Sequence, residues 1–208
     1  KKNKEVCECL KKGNENLGVL GFTDHSAAHC TMVAKRAAYI LKKFGYSESD
    51  IEMVKIAGFM HDIGNVVNRS RHAEYGAILA NEILKETDMS LKDRITVVSA
   101  IGHHDESTDP ISAALIIADK TDVRRNRVRN KAKENFDIHD RVNYAVTDAA
   151  LKINMDKKVI ALNLQIDTKI CSMYEYFEIF LGRMMMCRGA AEVLGATFKL
   201  TANGSKVL

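Results

Sequence analysis

No apolar run in this sequence approaches the roughly 20 residues that a membrane-spanning helix needs, so a membrane protein is not expected. The opening segment Lys1–Leu10 mixes charged residues with few apolar ones and has no apolar block, and it is not expected to act as a signal peptide. The five cysteines (Cys7, Cys9, Cys30, Cys171, Cys187) form an odd set without the paired spacing of a zinc site. They point to a reduced, cytoplasmic protein. Internal repeats and low-complexity linkers are missing as well. Charge of one sign is also scarce, with a net +4 over 208 residues. Between Lys120 and Lys133 stand seven Lys or Arg and a single Asp, so that the rest of the chain is slightly acidic. A local basic patch of this kind argues against a dedicated nucleic-acid binder, yet it suits a phosphate.

What the chain does have is a hydrophobic fraction of 46%, enough for one domain, or for one domain with a small appendage. Its first two thirds read as helices. Ala28, Val33, Ala37, Ile40, Leu41 and Phe44 recur at helical spacing from Asp24 to Phe44, and Gly45 marks a stop. Ser49 with Glu52 fits a capping box for a helix that runs to His61-Asp62 and breaks at Gly64. A third helix is expected over His72–Leu84, with Tyr75, Ile78, Leu79 and Ile83 inward. Ser90 and Asp93 open another through Ile95, Val98 and Ile101 to His103-His104. Asp109 and the single proline, Pro110, start one that ends at Asp119.

Beyond about residue 140 the period changes. Ile160, Leu162, Leu164 and Ile166 alternate with other residues, as do Leu151, Ile153 and Met155, which predicts a hairpin turning at Asp156-Lys157. Ser172–Leu194 reads as one long amphipathic helix, and an Asn203-Gly204 turn joins a last strand pair. The fold class is therefore mainly α: a helical bundle over residues 1–140, with a small α+β appendage over 141–208.

Six of the seven histidines (His25, His29, His61, His72, His103, His104) fall within Asp24–His104. A lone histidine is ordinarily a satisfied or solvated polar group. Here His61-Asp62 and His103-His104 each end an apolar helix, and Asp119 follows the apolar run Ala113–Ala118, where an unpaired carboxylate is costly. Imidazoles and carboxylates converging from helix ends are how a bundle builds a metal site. His139 and the cysteines carry no such signal, and Met184-Met185-Met186 reads as core filling or a partner surface.

The order His29, His61-Asp62, His72, His103-His104, Asp119 resembles the HD superfamily of metal-dependent phosphohydrolases, and specifically its multi-histidine members that hold two metals. His61-Asp62-Ile63-Gly64-Asn65 is similar to the family's HDIGK core, with Asn65 in place of lysine. His72-Ala73-Glu74-Tyr75-Gly76 looks like the middle histidine helix, and Ala118-Asp119-Lys120 is similar to the last-aspartate helix of the bacterial HD dinucleoside polyphosphate hydrolases. Two departures set the chain apart from the cyclic-dinucleotide phosphodiesterase branch. Only nine residues separate Asp62 from His72, and Asp105-Glu106-Ser107 follows His104 where that branch has glycine-tyrosine-proline.

The resemblance implies two divalent metal ions, of iron, manganese or another first-row metal, bridged by Asp62. His29, His61 and Asp119 would complete one shell, and His72, His103 and His104 the other. It implies hydrolysis of a phosphate ester or phosphoanhydride by a metal-bound hydroxide, with His103 or His104 available to protonate the leaving group. The expected partner is a small phosphorylated substrate, nucleotides included. Lys120, Arg124, Arg69 and Arg71 are candidate phosphate ligands. His25, four residues before His29, is a candidate for substrate or a further metal. The alternatives are an HD-type di-iron oxygenase and a nucleotide-sensing module without turnover. The appendage could also support a homodimer.

Overall fold

The computed structural model describes residues 3–130, 132, 134 and 136–208. Lys1 and Lys2 of the opening segment, and Lys131 and Lys133 of the basic stretch, lie outside the described residues. The chain is mainly α with a small α+β appendage at its C-terminal end.

Helix α1 (Lys4–Val19) was not anticipated beyond its being a charged segment. It buries Val6, Leu10, Gly13 and Leu17, a helical stripe hidden in the sequence by the charges on its outer side. The Asn3 side chain caps it by accepting from the amides of Glu5 and Val6. Helix α2 (Ala27–Lys43) starts at Ser26, later than Asp24, and ends as expected before Gly45 at φ 77°. Helix α3 (Glu48–Met60) is capped by Ser47 with Asp50, not by Ser49 with Glu52, because Ser47 is the residue with extended backbone. After a 3-10 turn at Ile63–Val66 come α4 (His72–Lys85), α5 (Leu91–Gly102) and α6 (Pro110–Lys120), the last two capped by Ser90 and Asp109 as read. Ile78, expected inward, is 61% exposed, and Ile95 is 52% exposed. On α4 the core face is Ala73, Gly76, Ala80, Leu84 and, as expected, Ile83, and the first three are small enough to let neighbouring helices approach.

Every residue of α6 from Ile111 to Ala118 is buried, which makes it the central helix of the bundle. It packs against α2, α3 and α5, and Asp119 emerges from its last turn. Gly64 is required for this packing. A Cβ there would lie 2.0 Å from the His72 carbonyl oxygen and 2.5 Å from the Gly76 amide, so only glycine lets the His61-Asp62 turn rest on the start of α4.

A second 3-10 turn (Arg125–Arg127) precedes α7 (Ile138–Ala145), which runs through the expected boundary at 140 and directly into β1 (Val146–Asn154). The predicted hairpin is formed by β1 and β2 (Val159–Ile166), paired antiparallel. Helix α8 (Met173–Val193) then crosses back so that β3 (Thr197–Ala202) lies parallel to β2, and Asn203-Gly204 turns into β4 (Ser205–Lys206). The sheet order is β1-β2-β3-β4. Helix α8 packs along α6, joining the appendage to the helix that carries Asp119. Among the described residues no helix is long and apolar enough to cross a membrane.

Candidate metal centre

Helix ends bring the predicted residues together. His29 lies in the first turn of α2, His61 and Asp62 follow α3, His72 opens α4, His104 follows α5 and Asp119 closes α6. All except Asp119 are buried, and its side chain is only 14% exposed. The imidazoles form a chain, with ring centroids 5.4 Å apart for His29–His61, 5.3 Å for His61–His104 and 4.8 Å for His72–His104.

Each of the four rings is held by Nδ1 against an acceptor. His29 Nδ1 faces Asp122 Oδ2 at 2.7 Å, His61 the Gly58 carbonyl at 2.9 Å, His72 the Arg69 carbonyl at 3.0 Å and His104 the Ile101 carbonyl at 2.7 Å. A carbonyl or carboxylate only accepts, so Nδ1 donates and every Nε2 offers its lone pair inward. His29 Nε2, His61 Nε2 and Asp62 Oδ2 are buried without a hydrogen-bond partner, a costly state unless a cation lies among them. The His104 and His72 Nε2 atoms stand 3.0 Å apart, lone pair against lone pair, and an ion between them would remove the conflict. The donor set fits divalent metal ions.

Asp62 links the two ends. Its Oδ2 is 3.3 Å from His61 Nε2 and 3.7 Å from His29 Nε2, while Oδ1 is 3.8 Å from His72 Nε2. Asp119 Oδ1 lies 3.2 Å from His29 Nε2 and 3.7 Å from His61 Nε2. Three groups of donor atoms are close enough to hold an ion: His29, His61 and Asp119; His72, His104 and Asp105; and Cys30, His61 and Asp62. In the last, burial together with Asp62 and Asp119 keeps the Cys30 thiol well above its ordinary pKa, hence neutral.

Electrostatics differ between the ends. Burial opposes charge on His61, but Asp62 and Asp119 outweigh it and push the ring up to about 10. Against their own burial, Asp62 and Asp119 are held well below the usual carboxylate range, by His61 in the first case and by Lys120 in the second. His104 is pushed down to about 3 by burial and by Lys120, and burial lowers His72 as well.

The remaining predicted residues divide. His103 is exposed, with Nδ1 3.0 Å from the Ser99 carbonyl, and it belongs to none of the three donor groups; Asp105 stands in the third position beside His72 and His104. The cause is that α5 ends at Gly102, which leaves His103 on the outer side of the cap. His25 precedes the Ser26 cap and so is not on a shared helical face with His29, though its ring meets His29 edge-on at 5.6 Å. Arg124 is not one turn along α6, since that helix has ended; its guanidinium forks onto Asp122, with Nη2 3.1 Å from Oδ2. Arg71 is exposed and faces Glu74 and the Tyr75 ring. Arg69 donates to Asn65 Oδ1 at 3.2 Å and lies 3.7 Å from Asp62 Oδ1, so it brings a cation beside the position where HDIGK has lysine. Lys120 spans the two ends, with Nζ 2.9 Å from Asp119 Oδ2 and 2.6 Å from Asp105 Oδ1.

Three supporting residues were not foreseen. Asp122 orients His29 and, despite its burial, is kept ionised by that bond and by Arg124 and Arg127. Asn65 donates to Asp62 Oδ1 at 2.7 Å, and Asp105 joins the second group. An Asp three residues past the last ligand was the available signal for Asp122; Asp105 had its adjacency to His104.

The HD domain family model matches residues 27–127, which include all of these side chains except His25. The chain is 29% identical over 164 residues to the uncharacterized protein MJ1020 of Methanocaldococcus jannaschii, covering 66% of this chain and 63% of that protein. Proteins named Ribonuclease Y from Enterococcus faecalis and Latilactobacillus sakei are each 31% identical, over 52% and 53% of this chain but only 20% of their own length. The chain thus spans less than two thirds of these relatives. With the helices, the order of the candidate ligands and the family match in agreement, residues 27–127 form an HD domain.

Proposed function

We propose that the chain hydrolyses a phosphate ester or phosphoanhydride of a nucleotide or another small phosphorylated metabolite, with two divalent metal ions held by His29, His61, Asp119 and by His72, His104, Asp105, and Asp62 shared between them. The observation that carries the reading is Asp62 itself, whose two oxygens face opposite ends of a chain of inward-turned imidazoles. Metal ions bound there would supply an activated water and offset charge on the phosphoryl oxygens. Asp62 and Asp119 provide the anionic donors, and Asp122 and the backbone carbonyls fix the ring orientations. Lys120 bridges the Asp119 and Asp105 carboxylates, and Arg69 presents a guanidinium to phosphate oxygens beside Asp62. The free cysteines are consistent with a cytoplasmic setting.

An RNA phosphodiester is the second reading, favoured by the likeness to proteins named Ribonuclease Y. One experiment tests both. Freshly purified chain, loaded with Mn²⁺ or Fe²⁺ under anaerobic conditions, is offered a panel of nucleotides, sugar phosphates and a short RNA. Metal-dependent phosphate release from the small substrates is expected, with turnover lost in Asp62→Ala. RNA cleavage alone would select the second reading. Turnover that persists in Asp62→Ala at full metal content would overturn the assignment.

A further inference from the structure

Helix α1 ends on apolar residues that its own core stripe does not use. The stripe Val6, Leu10, Gly13 and Leu17 is buried, but Val19, Leu20 and Phe22 beyond it are exposed. The helix stops at Gly21, and the Phe22 amide returns to the Leu17 carbonyl at 2.9 Å, which closes the turn that carries these side chains. Gly13 sets what lies beside them. A Cβ there would stand 3.0 Å from the Val66 amide nitrogen, so its absence lets α1 rest on the 3-10 turn that follows His61-Asp62. Val67, at the end of that turn, is exposed too. Grouped apolar residues left open on a surface mark a binding groove.

Val19, Leu20 and Val67 line a cavity of about 350 Å³ between the end of α1 and this turn, within the size range of small-ligand sites. Its wall reaches the metal centre through two residues. Asn65 donates to Asp62 Oδ1 at 2.7 Å, Arg69 stands 3.7 Å from the same oxygen, and both line the cavity. The Phe22 ring steadies the Arg69 guanidinium, with Cζ 5.4 Å from the centroid. Asn16 and Asn68 complete the lining. The Asn68 Oδ1 is taken by Ser70, while its Nδ2 and the Asn16 side chain have no hydrogen-bond partner among the described residues. A ligand whose phosphate meets Arg69 and the metals beside Asp62 thus has next to it an apolar slot with a cationic plane and free amides. That combination suits a nucleobase, which stacks through its faces and carries donors and acceptors on its edge. A sugar phosphate offers only hydroxyls and would leave the apolar wall uncovered. Helix α1 precedes residues 27–127, so one side of the slot comes from outside the HD domain.

We propose that the cavity between the end of α1 and the turn after Asp62 binds the base of a nucleotide whose phosphate lies at the metal centre. The proposal rests on the phosphohydrolase reading and narrows its substrates to nucleotides, with Leu20 and Val67 as specificity residues. The probes are the four common nucleoside 5′-monophosphates and ribose 5-phosphate, which keeps the sugar and phosphate and lacks the base. Each is titrated by calorimetry into the Mn²⁺-loaded full chain. At least one nucleotide is expected to bind about 10- to 100-fold more tightly than ribose 5-phosphate, the usual reach of base stacking. Leu20→Ser combined with Val67→Ser alters two exposed side chains. This double variant is expected to lose most of that advantage while binding ribose 5-phosphate as the unaltered chain does. Leu91→Ser, at an exposed leucine of α5 outside the cavity, is expected to keep the advantage in full. Metal content and thermal unfolding of each variant are measured alongside. Equal, Mn²⁺-dependent affinity for the nucleotides and ribose 5-phosphate overturns the proposal and leaves the phosphohydrolase reading in place. An advantage retained by the double variant overturns it as well, and so does an equal loss of both ligands. If the unaltered chain binds Mn²⁺ but none of these phosphates, the phosphohydrolase reading falls and this inference with it.

Discussion

The two ends of the metal centre use the same kinds of side chain and differ in charge. At the end formed by His29, His61 and Asp119, two carboxylates converge on buried imidazoles, and His61 is driven to the protonated form when nothing else supplies a cation. At the end formed by His72, His104 and Asp105, Lys120 already neutralises the carboxylate, and both imidazoles are driven to the neutral form. Asp105 is also half exposed, whereas Asp122 behind His29 is buried. Equal ligand counts therefore do not mean equal sites. The first end has two converging carboxylates, Asp62 and Asp119, which share Lys120 and Arg69 as their nearby cations, and a rigid support, and it is expected to hold its ion tightly. The second is expected to exchange its ion.

That contrast can be broken most decisively with ligand deletions. His29→Ala is expected to strip the tightly held ion and abolish turnover. His104→Ala is expected to leave one ion per chain after dialysis while lowering turnover about 100-fold or more, since both oxygens of the displacement are no longer clamped. Metal analysis by mass spectrometry separates the two, and a His104→Ala protein that loses all its metal would show that the ends are one unit. A smaller effect follows from Asp122→Asn, which weakens the support of the His29 ring without touching a ligand. Affinity at the first end is expected to drop about 10- to 100-fold with the second end unaltered. Titration of the metal-free chain followed by activity is the check. The smallest effect is expected for His103→Ala. Metal content and turnover close to those of the unaltered chain would agree with its exposed position, and a lost ion would return His103 to the site.

How much of this was legible beforehand depended on whether a signal was local. Caps at Ser90 and Asp109, the turn at Asn203-Gly204 and the alternation of Ile160, Leu162, Leu164 and Ile166 are written in adjacent residues and appear where they were read. Helix α1 escaped because its inward stripe of Val6, Leu10, Gly13 and Leu17 is diluted by charge. The Ser47 cap lies two residues from the expected one because Ser49 and Glu52 match the same pattern and only backbone geometry separates them. Ile78 and Ile95 show the converse: an apolar residue at helical spacing is not bound to face the core when smaller neighbours permit closer packing on another face.

The sequence by itself determined an inventory of candidate ligands, His29, His61-Asp62, His72, His103-His104 and Asp119, at helix ends marked by caps, glycine or a change in polarity. It also determined that a strand-containing appendage follows a helical bundle. Tertiary structure alone decided the assignments within that inventory. It turned His103 outward and brought Asp105 in, and it set Arg124 behind Asp122 rather than along α6. The physical reason is common to all of these. A residue's type and spacing set which chemistry it can offer, but the direction of a side chain past a helix end, and the charge it meets there, depend on which other helix end lies opposite.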